Sequence, residues 1–205
     1  MLTISQLPQV VHPQTIQAVQ QVSSRLIEFA KTYFLFVSNI CLVGLGFRDY
    51  TVVALGRQPN FPSVKEFFHN LWIGITSGNL EFIQGSCFVC SGISGALSFY
   101  YPAMYLDVVG NGLFLVGNLI ALMKNIEAYI QAVKLSGSAD EVICQQAKRN
   151  MLSAVFGILN NINYIMIPFV TVFGGPVALA IVFGGIAITT GCIKILYDYF
   201  YLRAS

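Results

Sequence analysis

Between Arg149 and Lys194 no residue carries a charge, and most are apolar. One crossing of a bilayer takes roughly 20 apolar residues, so this run is long enough for two. It is broken once, at Gly174, Gly175 and Pro176, which predicts a tight hairpin. An earlier pair follows the same plan. Residues 82–101 are uncharged, Pro102 breaks the run, and 103–123 are apolar apart from Asp107. The chain of 205 residues is 56% hydrophobic and only 10% charged. An ordinary soluble domain is about 25% charged and leaves roughly a third of its chain surface exposed. So much apolar surface needs lipid outside it. The expected fold is therefore all-α: an integral membrane bundle of two helical hairpins with four spans.

The flanking segments are read from periodicity. After Pro13, a residue suited to a helix start, Ile16, Val19, Val22, Leu26, Phe29 and Tyr33 recur every three or four positions. Gln17, Gln20, Gln21, Ser24, Arg25, Glu28 and Lys31 fill the other side. Residues 1–31 thus read as an irregular N-terminus and an amphipathic helix. Residues 32–47 are apolar but short for a span, and read as an interfacial segment or a fifth span. Residues 48–81 hold Arg48, Asp49, Arg57, Lys65, Glu66, Pro59 and Pro62, and read as a water-exposed connector. Phe67, Phe68 and Trp72 within it suit an interfacial aromatic belt.

Residues 82–123 form the first hairpin and 151–193 the second. Between them, 124–150 predict a protruding helix-turn-helix broken at Ser136 and Gly137. Ser138 to Glu141 fit a capping box at the start of the returning helix. Lys124, Glu127, Lys134, Asp140, Glu141, Lys148 and Arg149 would be its interaction surface. Residues 194–205 form a C-terminal tail.

Polar groups inside the spans are the candidate functional residues. Ser153, Gly157, Asn160, Tyr164 and Pro168 share one helix face, with Asn161 and Asn163 beside it. Ser86, Cys90, Ser94 and Ser98 recur every fourth position, and Ala180 and Gly184 repeat that spacing on the last span. Such small and polar stripes let helices approach closely and bond to one another. The alternative is a polar lining for a solute path. Asp107, in the first turns of its helix, reads as interfacial capping or as an ion-handling acid. A pair between Asp107 and Glu81 is not expected, because the two lie at different depths.

Little points to chemistry. There is no Gly-rich phosphate loop, no G-x-S-x-G and no H-E-x-x-H, and neither His12 nor His69 falls within a predicted span. Cys87 and Cys90 make a lone C-x-x-C among five scattered cysteines. They read as small packing residues in preference to a redox pair or half a metal site. No enzyme, cofactor or metal is expected. The net charge of +2, with no basic run, gives no case for nucleic acid.

Lys and Arg avoid both hairpin tips. With four spans, all of them lie on one side, which the positive-inside rule makes cytosolic, with both termini there. If 32–47 spans, Arg25 and Lys31 move across. This layout, two bilobed hydrophobic pairs plus the polar, signal-free start "MLTISQLPQVVHPQTIQAVQQVSS", resembles the chlamydial inclusion membrane proteins. That resemblance implies type III secretion, insertion in a host vacuole membrane, and cytosolic segments that recruit host components. The chain departs from that group's commonest layout in having two hairpins and a short cytosolic segment. The function expected is a membrane anchor or scaffold that meets a protein partner or itself. A small transporter or channel of unknown solute is the alternative, and membrane shaping a third reading.

Overall fold

The computed structural model describes residues 13–55, 63–101 and 104–202. Arg57, Pro59, Pro62, Pro102 and Arg203 lie outside the described residues, as does the stretch before Pro13. The described residues form six α-helices and no strand: α1 Pro13–Leu55, α2 Val64–Thr76, α3 Leu80–Tyr100, α4 Met104–Leu135, α5 Glu141–Val172 and α6 Val177–Tyr197. A π-helical turn, Asp198–Leu202, ends the described chain. Two compact units divide it, residues 1–38 and 39–205, with the boundary inside α1. In the first unit, Gln21 to Arg25, Glu28 and Phe29 are exposed.

Five helical segments are long and apolar enough to cross a membrane: Phe36–Leu55, Leu80–Ser98, Tyr105–Leu135, Glu141–Thr171 and Ala178–Tyr201. The chain is thus an all-α, multi-pass membrane protein. The first segment corrects the expectation that the apolar stretch stops at residue 47 and a connector begins. Arg48 and Asp49 do not end the helix, because they neutralise each other: the guanidinium lies 2.8 Å from Asp49 Oδ1. The helix then continues through the apolar residues Val52 to Leu55. A second helix, α2, occupies much of the rest of the expected connector.

The second unit is inside out relative to a soluble domain. Its buried residues are small or polar: Ala54, Cys87, Ala132, Ala147, Ala154, Ala187, Ser91, Ser153, Asn118 and Asn161, with Phe88 the one large apolar side chain among them. Its large aliphatic residues face outward, Ile181 and Ile195 among the most exposed. Without water, no hydrophobic force drives helices together, so small residues that allow close approach define the interior.

Helices α3, α4, α5 and α6 pack each against the next. Rings of Phe88, Phe114 and Tyr164 line up across α3, α4 and α5. The part of α1 from Asn39 onward runs antiparallel to α3, since Asn39 meets Gly92 and Gly95 while Gly46 meets Gly85. Backbones nearly touch there: a methyl group on Gly46 would lie 2.5 Å from Gly85 O, and one on Gly92 would lie 2.5 Å from Asn39 O.

The turns follow local chemistry. Gly78 (φ 66°) and Gly174 (φ 68°) take the left-handed conformation that ends α2 and α5. In each case the next amide reaches back to close the last turn, Asn79 N–H to Gly74 O and Gly175 N–H to Val170 O. Asn79 then caps α3, its Oδ1 accepting from the Glu81 and Phe82 amides. Pro176 stands at the start of α6, where its missing N–H is harmless.

Candidate functional site

One end of the bundle gathers charge. Counting from the hairpin tips, each of the four helices α3 to α6 runs about 25–30 Å, close to the thickness of a hydrocarbon core, through mainly apolar residues before it reaches this end. At that depth every helix of the second unit bears a polar group. On α3 and α4, Lys124 Nζ lies 3.1 Å from Glu81 Oε1 and donates to Gln84 Oε1 at 3.4 Å. At the end of α6, the Lys194 ammonium donates to Asp198 Oδ2, and Ser153 Oγ on α5 donates to Asp198 Oδ1. Arg149 donates to the Tyr201 carbonyl. On α1, Asp49 packs its Cβ against Gly85 and is 95% buried by its 5% exposure. Its Oδ1 accepts from Arg48, while its buried Oδ2 has no hydrogen-bond partner among the described residues. These groups form a polar girdle. Opposite, at the tips, Asp107 is the one charged residue described, and it is exposed in the first turn of α4.

Beyond the girdle, among the described residues, α4 and α5 continue by roughly three turns or about 16 Å. Their turn does not use the expected capping box. Asp140 is the N-cap of α5, its Oδ1 accepting from the Val142 and Ile143 amides. Ser138 is engaged elsewhere, its Oγ accepting from the Asp140 amide, and Glu141 is exposed in the first turn. Lys134, Asp140, Lys148 and Glu127 are also exposed, with Glu127 accepting from Gln131. Apolar side chains stand among them: Ile130, Val133, Leu135, Val142 and Ile143 are exposed, Val142 by 77%. A shallow cleft of about 280 Å³ lies at the base of this protrusion, between Asn125 and Gln131 on α4, Asn150 and Ser153 on α5, and Lys194.

The span residues singled out from sequence fall between helices and on their rims. Asn160 donates from Nδ2 to Ala187 O across the α5–α6 contact. Asn161 is buried, and Asn163 donates to Leu159 O in its own helix. A methyl group added at Gly184 would make an ordinary contact with Ile167. The four-residue stripe on α3 is divided. Ser86 accepts from the Tyr50 hydroxyl and donates to Phe82 O, and Ser98 donates to Gly95 O. Ser94 lies beside Gly110, but Cys90 is exposed. Helix α3 has neighbours on two sides, so it buries two faces: Gly85 and Gly92 toward α1, and Cys87, Phe88 and Ser91 toward α4. Ser91 donates to Gly110 O on α4. All five cysteines are free thiols, and among the described residues no group of three or more His, Cys, Asp or Glu could hold a metal ion.

Sequence reasoning did not single out Asn39 or Asn125, did not give Asp49 a place inside the bundle, and did not join Ser153 to Asp198 and Lys194. Asp49 and Arg48 looked like connector charges, and Asp198 looked like tail. Comparison of the chain with family models, with curated proteins and with solved structures finds no match in any of the three.

Proposed function

We propose that this chain is a non-enzymatic membrane anchor whose α4–α5 protrusion docks a protein partner in the aqueous phase. The observation that carries this reading is the exposed apolar set at the protrusion, Ile130, Val133, Leu135, Val142 and Ile143, beyond the girdle that marks the edge of the lipid. Lipid explains exposed aliphatic residues within the spans. The apolar lengths of α4 and α5 exceed the roughly 30 Å of a hydrocarbon core, so residues about two to three turns past the girdle lie outside it, and apolar patches facing water mark interaction sites. The charged residues Lys134, Asp140, Glu141 and Lys148 around them form a polar rim.

Charge supports an orientation. Arg48, Lys65, Lys124, Lys134, Lys148, Arg149 and Lys194 all belong to the girdle end, and none of the described residues at the tips is Lys or Arg. The positive-inside rule makes the girdle end cytosolic. If Phe36–Leu55 crosses as a fifth span, the number of crossings is odd and the two termini belong on opposite faces. The arrangement with both termini cytosolic needs four crossings. A vacuole membrane of an infected host cell, with the protrusion toward host cytosol, is the setting that the inclusion-protein layout suggests.

A photo-crosslinking amino acid at position 142, in the full chain in its native membrane, tests the docking. A discrete protein adduct, lost when Ile143→Glu is added, is the expected result; an adduct of two copies would name the chain itself as partner. Adducts with lipid alone would overturn it.

A further inference from the structure

Helix α2 presents three different surfaces around its axis, at about 100° per residue. One packs on the bundle. Asn70 Nδ2 donates to Ala54 O of α1, Gly74 is buried against Val53 and Phe82, and Phe67 and Leu71 are half-buried. The second is an exposed apolar stripe of Val64, Phe68, Trp72 and Ile75, each more than half exposed. The third carries Lys65, Glu66, His69 and Thr76, all exposed.

Neither solvent alone suits this helix. Water would leave the stripe uncovered, and the hydrocarbon core would strip water from Lys65, Glu66 and His69. We propose that α2 lies in the head-group boundary of the bilayer, with the Val64–Phe68–Trp72–Ile75 stripe set into the acyl chains and the Lys65–His69 side in water. Its depth agrees, because Asn70 and Gly74 tie it to Ala54 and Phe82, level with the Glu81–Lys124 girdle. The helices it packs on also leave apolar side chains exposed near this end, Val52 of α1 and Leu80 and Ile83 of α3. An interfacial helix of this kind buries its apolar face by about 5–10 Å. The inference rests on the membrane reading of the whole chain and adds a lipid surface contact on the girdle side, beside the protrusion.

Trp72 is the single tryptophan of the chain, so its fluorescence reports α2 alone. The full chain is placed in vesicles of phosphatidylcholine brominated either near the head group or near the chain ends. Emission should fall by about half or more with the shallow bromines and less with the deep ones, as an interfacial depth requires. In the variant Trp72→Phe/Ile73→Trp, which moves the indole to the polar side, aqueous acrylamide should quench more and bromines less. Equal behaviour of the two positions overturns the proposal. So does a Trp72 shielded from both quenchers, which would place a second copy on the stripe. Flotation of the protein with vesicles separates the two readings: floating protein without bromine quenching sinks only the α2 assignment, whereas failure to float sinks the membrane reading as well.

Discussion

At the scale of single residues, the bundle is joined by asparagines set against glycines. The Asn39 amide fits against Gly95, that of Asn125 against Gly157, and that of Asn160 against Gly191. Three helix contacts, α1 with α3, α4 with α5 and α5 with α6, thus use one device. An amide in lipid needs a partner, and a residue without a side chain lets the amide reach a neighbouring backbone. Asn160 achieves this with Ala187 O. Gly157 and Asn160 were legible because both recur on one face of one helix. Gly191 was not, since nothing local ties it to Asn160. Asn39 was passed over inside a stretch read as too short to span.

Glycines at backbone contacts should be the sensitive ones. Gly92→Ala puts a methyl group 2.5 Å from Asn39 O, an atom that cannot swing away. It should lower stability in mixed-micelle denaturation by about 1–3 kcal/mol. Gly112 faces open space. Gly112→Ala should leave stability unchanged or raise it by about 0.5–1 kcal/mol through helix propensity. If both variants denature like the parent, the α1–α3 contact is not as close as described.

At the scale of elements, the same four-letter pattern occurs twice with different outcomes. Ser63 to Glu66 form a true capping box: Glu66 Oε2 accepts from the Ser63 amide and hydroxyl, and Ser63 Oγ accepts from the Glu66 amide. Ser138 to Glu141 fit the pattern equally well but cap through Asp140. The tight turn after Leu135 is what differs, because it brings the Asp140 amide onto Ser138 Oγ. A pattern of spacing contains no record of such a turn. Asp140→Ala should therefore cost about 0.5–2 kcal/mol and speed exchange of the Val142 and Ile143 amides. Glu141→Ala should leave those amides as protected as before; the reverse result would restore the capping box.

The first turn of α2 should respond to acid. The Ser63 backbone N–H, and then its hydroxyl, hold the Glu66 carboxyl below its ordinary value of 4.5. A carboxylate favoured in the folded state stabilises it above the ordinary value and loses that contribution as pH falls through the lowered one. Proteolysis near Ser63 should be slow at neutral pH and faster in acid. Glu66→Gln should flatten that dependence, because glutamine keeps an acceptor without the titration.

At the scale of the whole molecule, composition gave the membrane class and the two breakers gave the hairpins. The number of crossings was harder, because it turned on Arg48 and Asp49. Read singly, each charge ends an apolar run. Paired, with Asp49 buried against Gly85, they leave the helix intact. Pairing across one peptide bond is visible only once the partner helix is in place. The consequence is a choice between four and five crossings that single-cysteine labelling from one side can test. Residues 137 and 198 should react together, being the turn and the girdle end. Residue 175, at the α5–α6 tip, should react only from the opposite face. Residue 25 decides between the models, because four crossings group it with 137 and five group it with 175. Labelling of 25 together with 137 would return α1 to the interface and restore the arrangement with both termini on one side. Labelling with 175 would leave the cytosolic face to α2, the protrusion and the chain end, and would put the amphipathic N-terminal helix across the membrane from the docking surface.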